Sequence, residues 1–188
     1  PQERDFFHVK GLIERILLPH GIGQLRYEAS TEFPFLHPGR SARVFWGEVC
    51  IGFLGELHPD SREKYGLRKR VIVSELNLDP LLKQADYLPL SQGLPRFPAV
   101  ERDLAVIVDE AIPAESVAAC IRAAAGELLV DLRLFDVYQG GQVPTGKKSL
   151  AYSLVLRSAE RTLQEDEIAG VHSKVLGHLA KELGALLR

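Results

Sequence analysis

Residues 136 to 157 combine side chains that could bind an unpaired nucleic-acid base. Asp136, Tyr138 and Ser149 offer a carboxylate, an aromatic ring and a hydroxyl, and no acidic residue lies between Asp136 and Glu160. A ring face stacks on any base, whereas a carboxylate or a hydroxyl distinguishes base edges by hydrogen bonding. Three cations in this interval could contact phosphates: Lys147, Lys148 and Arg157. The pattern favours binding of single-stranded RNA.

A purely structural interpretation is equally compatible with these residues. Tyr138 would then cap a hairpin, and the three cations would form a solvated rim. The total charge adds no support for RNA, because 12 basic and 12 acidic residues precede position 95, and 11 basic and 13 acidic residues follow. This balance argues against a non-specific nucleic-acid coat, and we do not expect DNA as a partner.

Motifs for catalysis or metal binding are incomplete in this chain. Gly141 and Gly146-Lys147 have the spacing of a Walker A loop, but Lys148 stands where serine or threonine is required, and a strand pattern follows. Gly21-Ile22-Gly23 lacks the third glycine of a dinucleotide-binding loop. The six histidines are scattered, and no serine, histidine and acid share the context of a catalytic triad. We therefore expect no catalytic residue and no metal site.

Strand and helix patterns alternate from residue 102 onward. Apolar alternation or continuous apolar residues predict strands at 102–109, 131–138, 147–157 and 186–188. The first helix has Pro113 at its first position and an apolar stripe of Val117, Ile121, Ala124 and Leu128. The second has capping-box spacing from Thr162 to Glu165, ends at Gly184, and carries a stripe of Ile168, Val171, Val175 and Leu179.

The resulting order βαββαβ predicts a ferredoxin-like split βαβ fold, an antiparallel sandwich whose two helices cover one face of a four-stranded sheet. The predicted core residues of 147–157 are Leu150, Tyr152, Leu154 and Leu156, which leaves Ser149, Ser153 and Arg157 on the open face. In 131–138 the predicted core pair is Phe135 and Val137. Asp136 and Tyr138 then join Ser149 on the open face, because the two strands are hairpin neighbours.

The first half predicts a mixed α+β unit. Phe6, Val9, Ile13 and Leu17 predict a helix over 3–18 that Gly21 and Gly23 end. Strands are predicted at 24–29, 42–47, 49–55 and 70–78, and a short helix between His58 and Gly66. The His37–Arg40 turn is predicted to be structural, with Arg40 anchored to a carboxylate.

The two cysteines, Cys50 and Cys120, are predicted to be small core residues without a disulfide, which favours a reducing compartment. No apolar run reaches membrane-spanning length and no leader is visible, so we expect a cytoplasmic protein without a membrane partner. Methionine is absent and the chain begins at Pro1. We therefore expect a piece of a larger protein.

Several segments carry a more specific signal. In the second half these are FPAVERDL at 97–104, FDVY at 135–138, GKKSLAY at 146–152 and ERTL at 160–163. In this order they closely resemble the ferredoxin-fold anticodon-binding domain of phenylalanyl-tRNA synthetases. The first half contains FFHVKG at 6–11, LHPGRSA at 36–42 and GFLGELHP at 52–59. These resemble the end of the synthetase-like domain of the bacterial β subunit.

The resemblance implies three regions in an α+β chain. They are the C-terminal part of a degenerate, non-catalytic class II synthetase-like domain at 1–84, a linker at 85–98, and the anticodon-binding domain at 99–188. Single-chain mitochondrial enzymes carry the anticodon module without this β-subunit domain, so the first half favours the bacterial (αβ)2 heterotetramer. Phenylalanine activation with ATP and Mg²⁺ would belong to the partner α subunit, and this piece alone would be inactive and hold no cofactor.

The resemblance also implies roles for individual residues in binding the anticodon stem-loop of phenylalanine tRNA. Tyr138 would stack on the first anticodon base, with polar contacts from Asp136, Ser149 and Arg188. Contacts to the RNA backbone are assigned more loosely to Lys147, Lys148, Arg157 and Arg161. The rival hypothesis is a protein interaction module without an RNA role, because split βαβ folds also serve in that way.

Overall fold

The computed structural model describes residues 5–17, 25–84 and 95–188. The chain divides into two compact units, Pro1–Gln92 and Gly93–Arg188. Gly21 and Gly23, the predicted end of the first helix, lie outside the described residues, as does most of the predicted linker at 85–98. Each unit contains one four-stranded antiparallel sheet.

The first unit has the sheet order β1-β2-β3-β4. Its strands are β1 (Leu25–Ala29), β2 (Leu36–Trp46), β3 (Val49–Leu57) and β4 (Ile72–Leu76), and its helices are α1 (Phe6–Leu17), α2 (Pro59–Lys64) and α3 (Asp79–Gln84). The sequence pattern predicted these elements except α3 and the first half of β2, because it placed the start of that strand at 42. The buried core joins α1, α3 and the two central strands through Ile13, Leu17, Val44, Ile51, Leu54 and Leu81.

The prediction of a turn at His37–Arg40 is wrong, because these residues belong to strand β2, but Arg40 is anchored to a carboxylate, as predicted. The strand register shifts between Leu36 and Ser41. Arg40 Nη1 donates a hydrogen bond to Glu56 Oε2 over 2.9 Å, and Glu56 is buried. The prediction for Cys50 is wrong, because its side chain is exposed. Cys50 lies directly after the β2–β3 turn, and the buried part of β3 begins only at Ile51.

The second unit contains β5 (Val100–Asp109), α4 (Ala114–Ala125), β6 (Leu129–Tyr138), β7 (Lys147–Leu156), α5 (Glu165–Leu183) and β8 (Leu186–Leu187). A single 3-10 turn, Gly126–Leu128, connects α4 to β6. The sheet order is β6-β7-β5-β8, and all neighbouring strands are antiparallel. This confirms the predicted α+β class and the ferredoxin-like plan.

Both helices of the second unit pack on the same face of its sheet. The shared core contains Leu104, Val106 and Val108 of β5, Leu150, Tyr152 and Leu154 of β7, Val117 and Ile121 of α4, and Val175 and Leu179 of α5. Tyr152 Oη donates a hydrogen bond to the carbonyl oxygen of Ala114 over 2.7 Å. Burial raises the pKa of Tyr152 above its ordinary value, so the hydroxyl keeps its proton for this bond. We call the opposite side of the sheet the open face.

Both helices begin later than predicted. Pro113 is the N-cap of α4 and not its first helical residue, because its backbone is still extended with ψ at 142°. The N-cap of α5 is Gln164, whose backbone N–H donates to the Glu167 carboxylate over 3.0 Å. The predicted box from Thr162 to Glu165 is therefore wrong by two residues. Leu163, just before the cap, is buried in one cluster with Ile168, and this apolar contact sets where α5 begins.

The predicted core pair of β6 is wrong at Phe135, whose side chain is 52% exposed. Leu134 pairs with Tyr152 and Asp136 pairs with Ala151, so Phe135 is an extra residue in a β-bulge. Val137 faces the same side as Leu150, as predicted, but is 54% exposed because β6 is an edge strand.

Candidate nucleic-acid interface

Four side chains form a row across one end of the open face. Tyr138 of β6 lies directly opposite Ser149 of β7, and Ser149 lies opposite Ile107 of β5. Leu186 of β8 completes the row opposite Ile107. Residues directly opposite each other in antiparallel strands point to the same side of the sheet. Tyr138 and Ser149 are thus neighbours on the open face, as the sequence predicted.

The adjacent row places a carboxylate and a guanidinium on opposite sides of two small residues. Asp136 of β6 pairs with Ala151 of β7, and Ala151 pairs with Ala105 of β5. The backbone N–H of Arg188 donates to the carbonyl oxygen of Ala105 over 3.0 Å, which continues the β8 pairing. The alanines leave the centre of the sheet free of large side chains, so a planar group could approach the backbone there.

Arg188 connects the aromatic ring, the hydroxyl and the loop beside them. Its guanidinium lies over the Tyr138 ring at 5.1 Å from the ring centroid, a cation–π arrangement. Nη1 donates to Ser149 Oγ over 3.5 Å, and Nη2 donates to Gln142 Oε1 over 3.2 Å. Ser149 is only 2% exposed, whereas Tyr138 is 36% exposed. The ring therefore remains reachable while the hydroxyl is enclosed.

The loop 139–146 between β6 and β7 borders this cluster. The backbone N–H of Val143 donates to the Gly140 carbonyl oxygen over 2.8 Å, and the Val143 side chain is buried. Most of the loop, together with Glu110 and Lys147, lines an open depression of about 580 Å³. The loop is thus anchored against its own unit beside the Tyr138 end of the sheet.

The four predicted backbone-contacting cations do not gather around Tyr138. Lys147 is on the open face but pairs with Asp109 over 2.9 Å. Lys148 lies opposite Val108, on the side of the helices, and its Nζ donates to the Glu110 carbonyl oxygen. Arg157 follows the end of β7, where its backbone N–H donates to the Leu128 carbonyl oxygen. Their contacts with RNA stay predictions.

Arg161 lies just before α5 and not in either row of the open face. Its Nη1 contacts Glu167 Oε2 at 2.5 Å. This hydrogen bond, followed by the one from the Gln164 backbone, lowers the pKa of Glu167 to about 2. The same contact raises the pKa of Arg161. The pair therefore stabilises the start of α5. This structural role explains both side chains without a contact with RNA.

The far end of the open face is acidic. Glu101 and Asp103 of β5 and Asp131 of β6 share this face with Val155 and Ser153 of β7, and the three carboxylates outnumber the one arginine there, Arg133 of β6. Ser153 Oγ donates to Glu101 Oε1 over 2.5 Å. The stretch without acidic residues between Asp136 and Glu160 therefore does not make the open face free of acids, because β5 pairs with β7 and adds its own carboxylates. A phosphate backbone would be favoured at the Arg188 end and repelled at the Glu101 end.

Sequence reasoning missed several residues of the interface. Ala105 and Ile107 could have been assigned to the open face by alternation with Leu104 and Val106. Gln142 carries no sequence signal, because its contact with Arg188 joins residues 46 positions apart. Among the residues that the structure describes, no group of three or more His, Cys, Asp or Glu side chains is placed to hold a metal ion.

Comparison with known proteins agrees with this geometry. Residues 95–188 match the model of the ferredoxin-fold anticodon binding domain. The chain belongs to this family. Residues 1–78 match a second family, the phenylalanyl tRNA synthetase beta chain CLM domain. Together the two matches confirm the resemblance stated from the sequence motifs, in both halves of the chain.

Curated relatives are similar along nearly all of the chain. A phenylalanine–tRNA ligase beta subunit of Clostridium tetani is 40% identical over 99% of this chain and 24% of its own length. Those of Moorella thermoacetica and Symbiobacterium thermophilum are 46% and 48% identical over 99% and 98% of this chain. The chain spans only 23% and 20% of these two relatives. Within the described ranges, no helix has the length and apolar composition needed to cross a bilayer.

Proposed function

We propose that this chain is the tRNA-binding and assembly portion of a phenylalanine–tRNA ligase β subunit. In this proposal the open face of the second unit binds the anticodon stem-loop of phenylalanine tRNA. The observation that carries the proposal is the grouping of Tyr138, Ser149, Asp136 and Arg188 at one end of that face. This grouping lies in a unit that belongs to an anticodon-binding family.

Each of these four side chains has a chemical role in the proposed binding of RNA. The Tyr138 ring and the Arg188 guanidinium are flat groups on which RNA bases stack. The Asp136 carboxylate contacts the edge of the first anticodon base, and the enclosed Ser149 hydroxyl acts by accepting the hydrogen bond that holds Arg188 in place. Ala105 and Ala151 leave room for that base to lie close to the sheet. Arg188 also supplies positive charge at the Tyr138 end, whereas carboxylates outnumber the one arginine, Arg133, at the far end of the face.

Catalysis is placed elsewhere in this proposal. The partner α subunit activates phenylalanine with ATP and Mg²⁺, and the first unit serves as a non-catalytic scaffold in an (αβ)2 heterotetramer in the cytoplasm. The 188-residue chain alone would then be inactive in aminoacylation. The incomplete catalytic motifs of the sequence support this division of labour.

A second candidate is a protein interaction module without an RNA role. The observation that favours it is the edge strand β6, which exposes Val130, Leu134, Phe135 and Val137. Exposed apolar side chains on an edge strand are typical of sites where another chain adds to the sheet.

Filter binding with the complete ligase separates the two candidates. Phenylalanine tRNA and a variant with an exchanged anticodon are compared at two salt concentrations. We expect the tRNA with the natural anticodon to bind the ligase more tightly at both salt concentrations, because base contacts survive a change in salt that weakens phosphate contacts. Equal binding of the two tRNAs would contradict anticodon recognition and leave the interaction module as the better hypothesis.

A further inference from the structure

The hydroxyl end of the Tyr138 ring rests against the backbone of Gly140. A Cβ atom built on Gly140 would lie 2.6 Å from Tyr138 Oη, 2.9 Å from Cζ and 3.4 Å from Cε1. Contacts under 3.0 Å are essentially never made by real Cβ atoms. Any side chain at position 140 would therefore require the ring or the loop to move.

The loop is held more firmly than the ring. Gly140 accepts a hydrogen bond from the Val143 backbone, and the buried Val143 side chain anchors the loop. The backbone N–H of Glu110 donates to the Gly146 carbonyl oxygen over 2.9 Å, which fixes the other end of the loop to β5. The Tyr138 ring can instead turn about its own side-chain torsions. Crowding at Gly140 is thus relieved by displacement of the ring.

Glycine at position 140 is needed for space and not for backbone conformation. Gly140 is absent from the glycines with positive φ, which in the second unit are Gly126, Gly146 and Gly184. An alanine could therefore adopt the backbone conformation of Gly140. The penalty of a substitution would come from the contact with Tyr138.

We infer that Gly140 is a positioning residue that sets the orientation of the Tyr138 ring for base stacking. The inference rests on the proposed function and deepens it. The ring has one support from the loop, at its hydroxyl end, and one from the Arg188 guanidinium over its face. These two contacts define the plane of the ring, and a base stacks well only when that plane is correctly oriented.

The neighbouring glycine provides a matched control. A Cβ atom on Gly141 would meet no atom within 4 Å, and its φ is not positive. Gly141→Ala and Gly140→Ala make the same chemical change, one residue apart in the same loop. Only the second crowds the ring.

The experiment uses the complete ligase and filter binding of phenylalanine tRNA with its natural or an exchanged anticodon. The variants are Gly140→Ala, Gly141→Ala, Tyr138→Ala and the double variant Gly140→Ala with Tyr138→Ala. We expect Gly140→Ala to weaken binding of the natural tRNA about 10-fold, within the range for loss of one stacked base. Gly141→Ala should bind like the unchanged protein. The double variant should bind like Tyr138→Ala alone, because no ring remains to be displaced.

The outcomes distinguish failure of the inference from failure of the proposed function. Unchanged binding by Tyr138→Ala would remove the stacking role and the inference with it. If Tyr138→Ala weakens binding but Gly140→Ala behaves like Gly141→Ala, only the positioning role is overturned. A double variant that binds more weakly than Tyr138→Ala would also overturn it, because Gly140 would then act on the loop and not through the ring.

Discussion

The two faces of strand β7 have opposite compositions. Toward the helices it presents Leu150, Tyr152, Leu154 and Leu156, all almost completely buried. Toward the open face it presents smaller or charged side chains: Lys147, Ser149, Ala151, Ser153 and Val155. One strand thus supplies the core with its large side chains and the candidate interface with its small and polar ones. Substitutions on the two faces should separate stability from RNA binding.

The largest expected effect is on stability, at the face of β7 that the helices cover. Leu154→Ala should lower the free energy of unfolding by about 3 kcal/mol, because it leaves a cavity under the helices. Val155→Ala, on the open face of the same strand, is the control, with an expected loss of about 1 kcal/mol or less. Urea unfolding of the chain followed by circular dichroism measures both. Equal losses would contradict the assignment of the two faces.

The next effect concerns the ring at the open face. Tyr138→Ala should weaken binding of phenylalanine tRNA to the complete ligase by about 2 kcal/mol, from the loss of one stacked base. Its effect on unfolding should be small, because Tyr138 is partly exposed on an edge strand. Phe135→Ala removes another exposed aromatic ring, from the bulge of the same strand, and should leave tRNA binding unchanged. A larger loss from Phe135→Ala would instead favour a role for the strand edge.

A smaller effect is expected from the serines of β7. Ser149→Ala should weaken tRNA binding by about 1 kcal/mol, because it removes the hydroxyl that accepts a hydrogen bond from Arg188. Ser153 lies on the same face but at its acidic end, next to Glu101. Ser153→Ala should therefore leave tRNA binding unchanged. Filter binding at one salt concentration is sufficient for this pair. If the two variants lose affinity equally, the interface does not end where the carboxylates begin.

The smallest effect lies at the start of α5, away from the open face. The pKa of Glu167 is lowered to about 2 by the hydrogen bonds from Arg161 and the Gln164 backbone. A carboxylate with a lowered pKa in the folded state contributes stability above its unfolded pKa of about 4.5. This contribution is lost as the pH falls from there through about 2.

Glu167→Gln should therefore flatten the change in melting temperature between about pH 4.5 and pH 2, without changing tRNA binding at neutral pH. Thermal unfolding across this range measures it. Asp166→Asn, in the same helical turn, serves as the control. An unchanged pH profile would show that the Arg161–Glu167 pair contributes nothing to stability.

The elements of the second unit could be predicted from the sequence because their signals are local. Apolar spacing identified both helices, and the strand order followed from the sequence of elements. The first residue of each helix could not be located, because Leu163 sets the start of α5 by packing on Ile168. The same limit applies to Cys50, because its apolar neighbours in sequence do not show that its own side chain is exposed beside the β2–β3 turn.

The sides of β6 show the limit most clearly. Strict alternation from the helix-facing Leu132 and Leu134 would send Asp136 and Tyr138 under the helices. The extra residue Phe135 reverses the alternation and brings both to the open face. Assigning Phe135 to the core led to the correct side for Tyr138 through an incorrect step. The bulge is determined by the pairing of β6 with β7. The sequence of β6 alone contains no information about that pairing.

Local order along the chain was sufficient to establish most element types and the split βαβ plan, because residue periodicity within each segment carries that information. Tertiary structure alone decided which groups surround Tyr138. The carboxylates of β5, the support from Gly140, and the contacts of Arg188 with Gln142 and Ser149 depend on strand register and loop conformation. Register arises from pairing between residues distant in sequence, so the composition of the interface follows from the folded sheet.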